Sequence, residues 1–250
     1  SVDGPDLGSR SFETIELPRV AMLIGDGTSA YEAGEIWHLL DTRYDMPVVK
    51  IDMSDLDRAN LDRYNTLILV SLSGNPLSEA QVSRIKNWTA AGNTLILQRG
   101  AVSWAIRNKL INESFVENQE KAVPGARYDY HTQRDREGAK RIGGVVFKAD
   151  LDPSHPLGFG YTDRNIYMYR NHNYMIKPSA NPYRTVVQLL DEAQVDGYVH
   201  PDALVQAKGS ASVIASQIGR GNVVCLIDNP NFRGFWYGTN RLFLNGLFNY

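Results

Sequence analysis

The feature that most narrows what this chain can fold into is an alternation of two hydrophobic periods, repeated through its first 110 residues. Arg19 to Ile24 (RVAMLI) is a continuous apolar run that ends in Gly25-Asp26-Gly27, the pattern of a strand buried on both faces of a parallel sheet. Ala33, Ile36, Trp37 and Leu40 then recur at helical spacing and form one apolar stripe. Met46 to Ile51 and Thr66 to Val70 read as the second and third strands. The next helix carries its own punctuation: Ser78 as cap, Gln81 completing a capping box, Leu77 and Val82 at the staple positions, and Gly92 as the stop. Thr94 to Leu97 is a fourth strand and Ala101 to Leu110 a further helix. Strand and helix in strict alternation call for right-handed crossovers and a parallel sheet flanked by helices.

After residue 112 the rhythm breaks. Glu113 to Gly144 is charged and weakly periodic, and reads as an excursion with room for one hairpin. Strand-like runs resume at Val145 to Phe147, Tyr167 to Tyr174, Thr185 to Leu189 and Ala211 to Ala215. Gly219-Arg220-Gly221-Asn222 is a tight turn into the strong strand Asn222 to Ile227, and a helix over Thr239 to Phe248 closes the chain. With 250 residues and no internal repeat, the expectation is a linker over 1–17 and one α/β domain over 18–250. The polar start, Ser1 to Arg10, lacks a basic-then-apolar signal pattern and suits a linker in a fragment of a longer protein.

Charge and cysteine content set limits on partners. A formal net charge of -2 gives no electrostatic reason to expect nucleic acid or an anionic membrane. Arg134, Arg136, Lys140 and Arg141 are interleaved with Asp135 and Glu137, as on a solvated face. No stretch approaches the roughly 20 apolar residues that span a bilayer. The lone Cys225 lies inside Val223-Val224-Cys225-Leu226-Ile227, a setting for an inert buried thiol.

In an open α/β sheet ligands bind outside the carboxyl ends of the strands, so residues just after the strands carry the chemistry. Here they are Asp26, Glu32, Ser71, Ser73, Gln98, Arg99 and the run Asp228 to Arg233. Asp26, Glu32, Arg99, Asp228 and Arg233 are expected to share one cleft, with Arg233 as a partner for Asp228. Leu95 to Ala101 has the strand–turn–helix shape of a nucleophile elbow, yet Gln98 and Arg99 are not nucleophiles, and Ser103 has no evident base. Gly25-Asp26-Gly27 lacks the spacing of a phosphate-binding loop, and a plain turn is expected there. His38, His131, His155, His172 and His200 are scattered singly; no metal site follows from them, and His155 suits a structural hydrogen bond in a rigid turn. The richest segment, Asp228 to Asn240, sets Asn231, Arg233, Phe235, Trp236 and Tyr237 between a central strand and a helix. It reads equally as a binding surface for a sugar, peptide or partner domain and as aromatic cover for the sheet edge.

Three stretches together resemble a known family: Ala21 to Leu40 (AMLIGDGTSAYEAGEIWHLL), Asp152 to Tyr161 (DPSHPLGFGY), and Gly219 through Asp228-Asn229-Pro230-Asn231-Phe232-Arg233-Gly234-Phe235-Trp236 to Asn245. They are similar to the glutamine amidotransferase-like domain at the C-terminal end of certain bacterial zinc carboxypeptidases. The resemblance implies a flavodoxin-like three-layer sandwich with a mostly parallel sheet and a β-rich excursion after residue 112. It further implies an exported parent, periplasmic or extracellular, whose upstream peptidase domain holds the zinc and is this domain's partner. No cofactor is expected in this chain, because none of the parent's zinc ligands has a counterpart here. Against true amidotransferases, the elbow cysteine falls at about Gln98 and the late His-x-Glu pair near Asp228 and Pro230, so the thiol chemistry is lost.

The leading expectation is a non-catalytic accessory domain that binds a ligand or packs on the peptidase, with Asp26, Glu32, Arg99, Asp228, Asn231, Arg233 and Trp236 as ligand-binding candidates. A carboxylate-based hydrolase using Asp26, Glu32 or Asp228 is the alternative, and a purely structural stabiliser is another.

Overall fold

A computed structural model describes residues 16–117 and 125–248, with Gly4, Gly8 and Ser9 besides. The linker expected over 1–17 lies almost wholly outside the described residues. Nine strands form one sheet: β1 (Val20–Ile24), β2 (Val48–Asp52), β3 (Thr66–Leu69), β4 (Thr94–Gln98), β5 (Val145–Leu151), β6 (Asn165–Arg170), β7 (Thr185–Gly197), β8 (Ala211–Ile218) and β9 (Gly221–Leu226), in the order β2-β1-β3-β4-β9-β8-β7-β5-β6. Strands β1, β2, β3, β4 and β9 are parallel neighbours, whereas β8, β7, β5 and β6 continue the sheet with antiparallel pairings. The expected parallel sheet is therefore one half of the sheet, and the β-rich segment after residue 112 supplies all four strands of the other half. Within the excursion Gln133–Ala139 is a short helix with every residue of its first turns in solvent, which agrees with a solvated charged face; residues 118–124 lie outside the described set.

The alternation of the strands decides which helix covers which face. Val20 and Met22 of β1 face Ile36 and Leu40 of helix α1 (Ala30–Tyr44), together with Leu242 and Phe243 of the final helix (Asn240–Phe248). Ala21 and Leu23 face the other way, among Ile85 and Trp88 of α2 (Glu79–Ala90) and Val102 and Trp104 of α3 (Gly100–Arg107). This is the three-layer arrangement that strictly alternating strands and helices require. Cys225 is fully buried in the second layer, and burial pushes its thiol upward, away from the thiolate a nucleophile needs.

The capping box forms as its spacing dictates. Gln81 N–H donates to Ser78 Oγ at 3.2 Å, and Ser78 N–H donates to Gln81 Oε1 at 3.0 Å. Leu77 is buried against the same layer that Val82 packs on. Ser78→Ala is expected to lower stability by about 1 kcal/mol, because the Gln81 N–H in the first turn loses its acceptor. Urea unfolding checks this; an unchanged midpoint would show that water caps the helix equally well.

Candidate functional site

The carboxyl ends of β1, β3, β4 and β9 converge on a group of charged and polar side chains. Two loops meet first: Ser29 N–H donates to Ser71 O at 2.9 Å, and Ser73 N–H donates to Gly27 O at 2.8 Å. This locks the start of α1 against the end of β3. Glu32, in the first turn of α1, is thereby held over the sheet edge and is only 2% exposed. Its Oε2 accepts Ser71 N–H at 2.9 Å and Gln98 Nε2 at 3.4 Å, and its Oε1 accepts Arg99 Nη1 at 2.7 Å. Partners reach every oxygen of this buried carboxylate, as its desolvation demands.

Arg99 is the turn residue itself. Gln98 still pairs with Leu226 as the last residue of β4, and the chain reverses one position later. Arg99 takes φ 48 and ψ -109, a sparsely populated conformation for a side-chain-bearing residue. Its N–H donates to Leu226 O at 2.7 Å, and Gly100 N–H donates to Ser71 Oγ at 3.0 Å. Gly100 packs closely on Ser71: a Cβ there would stand 3.1 Å from Ser71 Cβ and would push that side chain aside by a few tenths of an ångström. A strained residue between strand and helix, with backbone donors after it, is the geometry of a nucleophile elbow. The strained turn residue is thus Arg99, one position after Gln98, the expected degenerate nucleophile position. Ser103 is buried with its Oγ unpartnered, so no base is aimed at it.

Asp228, just past β9, has a different partner from the one its sequence neighbourhood suggests. Arg170, the last residue of β6, clamps it through Nε–Oδ1 at 2.7 Å and Nη2–Oδ2 at 2.8 Å, both side chains being 0% exposed. Ser212 Oγ donates to Oδ2 at 2.5 Å, and His172 Nε2 lies 3.2 Å from Oδ1. Burial alone would raise the Asp228 carboxyl, but the Arg170 charge, the adjacent His172 ring and the bonds from Arg170 outweigh it and hold the group well below the ordinary carboxylate range. Burial also drives His172 down to about 4, against the pull of Asp228.

Arg233 does not pair with Asp228. Its side chain is exposed and lies over the Phe232 ring, 5.3 Å from the centroid, while its backbone N–H donates to Glu35 Oε1 at 2.6 Å. Asn229 Nδ2 donates to the other oxygen of Glu35 at 2.6 Å. Burial raises Glu35 above its ordinary value, although both of these bonds oppose the shift. Glu35 thus ties the 229–234 loop to α1, one turn from Glu32. A groove of 620 Å³ lined by Tyr31, Glu35, His38 and Arg233 runs beside this tie.

The expected common cleft therefore forms in part. Glu32 and Arg99 are ion-paired, and Arg233 reaches the same helix by its backbone. Asp228 instead belongs to a buried cluster on β6. Asp26 is exposed, and no hydrogen bond or ion pair joins it to the others among the described residues. Asn231 is buried, with its N–H on Asn229 Oδ1 at 3.0 Å and its Nδ2 unpartnered. Trp236 lies elsewhere, against β6, with Nε1 donating to Tyr167 O at 3.2 Å. No three His, Cys, Asp or Glu side chains group as metal ligands among the described residues, and no described helix is long and apolar enough to cross a membrane. Three histidines act alike as local backbone acceptors. Nδ1 of His155, His172 and His200 accepts the N–H two residues on, at 3.1, 3.1 and 3.3 Å.

Arg170, His172, Ser212, Glu35 and Asn229 complete the site. The register of Asn165 to Arg170 is the signal that could have found Arg170: Ile166 and Met168 alternate onto the core face, and Arg170 is next in that series.

Neither a protein-family model nor a curated protein matches the sequence. Solved structures do match over nearly the whole chain. PurLQS from Thermotoga maritima is 13% identical with a TM-score of 0.59, covering 93% of this chain and 98% of that one. A ThuA-like protein from Bacteroides uniformis is 12% identical with a TM-score of 0.54, covering 96% and 94%. A GMP synthase subunit from Thermoplasma acidophilum is 12% identical with a TM-score of 0.54, covering 93% and 94%. At such identities the likeness shows the fold alone, and that fold is glutamine amidotransferase-like and flavodoxin-like.

Proposed function

We propose that this chain is a non-catalytic accessory module on an amidotransferase-like fold, one that binds a ligand or packs on a neighbouring catalytic domain. The observation that carries the reading is Arg99 at the strained elbow, its guanidinium held on buried Glu32 at 2.7 Å. A guanidinium has no lone pair to attack a carbonyl and does not deprotonate near neutral pH, so it is neither nucleophile nor base. The backbone that would present a thiol is retained, but it presents an anchored cation. The three stretches that resemble the C-terminal domain of zinc carboxypeptidases support an exported parent, periplasmic or extracellular, whose upstream peptidase domain carries the zinc and is the packing partner.

The carboxylate-hydrolase alternative gains nothing from the geometry. Glu32 and Asp228 are each neutralised by an arginine, and Asp26 stands apart from both.

Two measurements test the proposal. The chain is expected to release no ammonia from glutamine, and thiol alkylation is expected to change nothing. Ammonia release that disappears in Cys225→Ser would overturn the non-catalytic reading. Removing the domain from the full-length peptidase is expected to lower its stability or its substrate affinity; an unaffected peptidase would remove the accessory role.

A further inference from the structure

A second cleft lies away from the elbow, at the free edge of β6. It encloses 590 Å³, a size typical of small-molecule sites, and its walls are aromatic: Tyr161, Tyr167, Phe235, Trp236 and Tyr237, with Asn165 at the rim. Tyr167, Phe235 and Tyr237 are 49%, 55% and 57% exposed, an unusual concentration of uncovered rings for a surface with no ligand role.

The rings are held in place. Trp236 is fixed by its indole bond to Tyr167 O, and the Tyr161 hydroxyl donates to Gly238 O at 2.9 Å. Phe232 stacks on Tyr169 at 3.8 Å, and Phe235 stands edge-on to both Phe232 and Trp236, at 6.0 and 6.4 Å. A ligand would therefore meet surfaces that already have their bound orientation, which lowers the ordering cost of binding.

Charge and backbone chemistry select the occupant. Among the described residues no Asp, Glu, Lys, Arg or His lines the cleft, so no side chain on its walls would pair with a phosphate or a free ammonium. Arg43 stands over the Tyr237 ring at 4.4 Å and Arg241 over Tyr161 at 5.7 Å, so two ring faces already carry cations and a cationic guest is repelled. Trp236 occupies the outward carbonyl of Tyr167, which blocks the ladder that an added peptide strand would need on β6. What remains is a neutral ligand with an apolar face for the rings and hydroxyl groups for the tyrosine hydroxyls and the Asn165 amide. We infer that this cleft binds a saccharide, with a pyranose ring stacked on the exposed face of Phe235 and bordered by Trp236 and Tyr237.

The inference deepens the binding-module reading, yet it is measured separately from it. A cleft that binds no sugar leaves the glutamine assay unchanged, and an active elbow leaves sugar binding unchanged. Calorimetric titration of the 250-residue chain with cellohexaose, maltohexaose and chitohexaose, each to about 10 mM, is expected to give saturable binding with at least one. Phe235→Ala removes an exposed ring without touching the hydrogen bonds of the cleft, and is expected to weaken that binding about tenfold or more while the melting temperature holds. Trp236→Ala is expected to abolish it. Heat signals absent with all three sugars, or binding undiminished in Phe235→Ala, would overturn the inference. So would saturable binding of tetramethylammonium lost in the same variant, since that would make the cleft a cation site.

Discussion

Arg170→Ala is expected to destabilise the protein by about 3–5 kcal/mol, more than any other substitution proposed for this chain. The guanidinium is fully buried and donates five hydrogen bonds: to Asp228 Oδ1 and Oδ2, to Met175 Sδ at 3.0 Å, to Ser210 Oγ at 3.3 Å and to Ala211 O at 3.5 Å. Truncation strands the Asp228 carboxylate in the core with only Ser212 and His172 beside it. A loss of that size is a large part of the roughly 5–15 kcal/mol that holds a domain folded. The control is the double variant Arg170→Met, Asp228→Asn. It removes both charges and is expected to recover part of the loss, because no charge is left stranded in the core, although the amide introduced at position 228 stays buried with Ser212 as its neighbour. Urea unfolding of the two variants decides the matter. Equal losses in both would mean that packing around Arg170, rather than the stranded charge, sets the cost.

The same cluster shows where sequence reasoning reaches and where it stops. The parallel half is legible because each element carries a local signature. RVAMLI, ended by Gly25-Asp26-Gly27, reads as a buried strand beside a helix striped by Ala33, Ile36 and Leu40, and Ser78 with Gln81 marks a helix start within four residues. The elbow is legible to within one residue. Its offset arises because Gln98 satisfies the strand register through Leu226, a partner 128 positions away in sequence that no local pattern shows. Topology alone places Glu32 and Arg99 together, since both follow parallel strands. Asp228 and Arg233 suggest a pair because they are neighbours in sequence. The true partner of Asp228, Arg170, comes from the antiparallel half, on a strand at the far edge of the sheet, and that half has no repeating rhythm to order its strands. The aromatic run Phe232 to Tyr237 reads in sequence as either edge cover or binding surface. Trp236 covers the β6 edge at Tyr167, while Phe235 and Tyr237 remain uncovered beside it.

The second large effect is on pH. Stability is expected to be full above about pH 6.5 and to fall by about 3 kcal/mol as the pH drops toward 4, with His172 as the main cause. In the folded protein His172 Nδ1 already accepts the Tyr174 N–H at 3.1 Å, so the nitrogen free to meet Asp228 is Nε2. A second proton would have to go on Nδ1, where it faces a donor instead of an acceptor. Burial and the positive charges of Arg170 and Arg99 oppose it further, while the Asp228 carboxylate favours it without prevailing. The folded protein therefore refuses a proton that the unfolded chain accepts from about pH 6.5 downward, and each lower pH favours unfolding until about pH 4, where both states hold the proton. His155, also lowered by burial, adds a smaller change of the same sign. Asp228 cannot produce this slope, because a carboxyl held below its ordinary value of 3.8 contributes fully above that pH and loses stability only beneath it. His172→Asn separates the two. An asparagine oxygen can accept the Tyr174 N–H and its amide can donate toward Asp228, but it does not titrate. Urea midpoints of this variant are expected to vary little between pH 6.5 and 4.5, where those of the parent decline steeply. Parallel declines in the two proteins would assign the slope to groups other than His172.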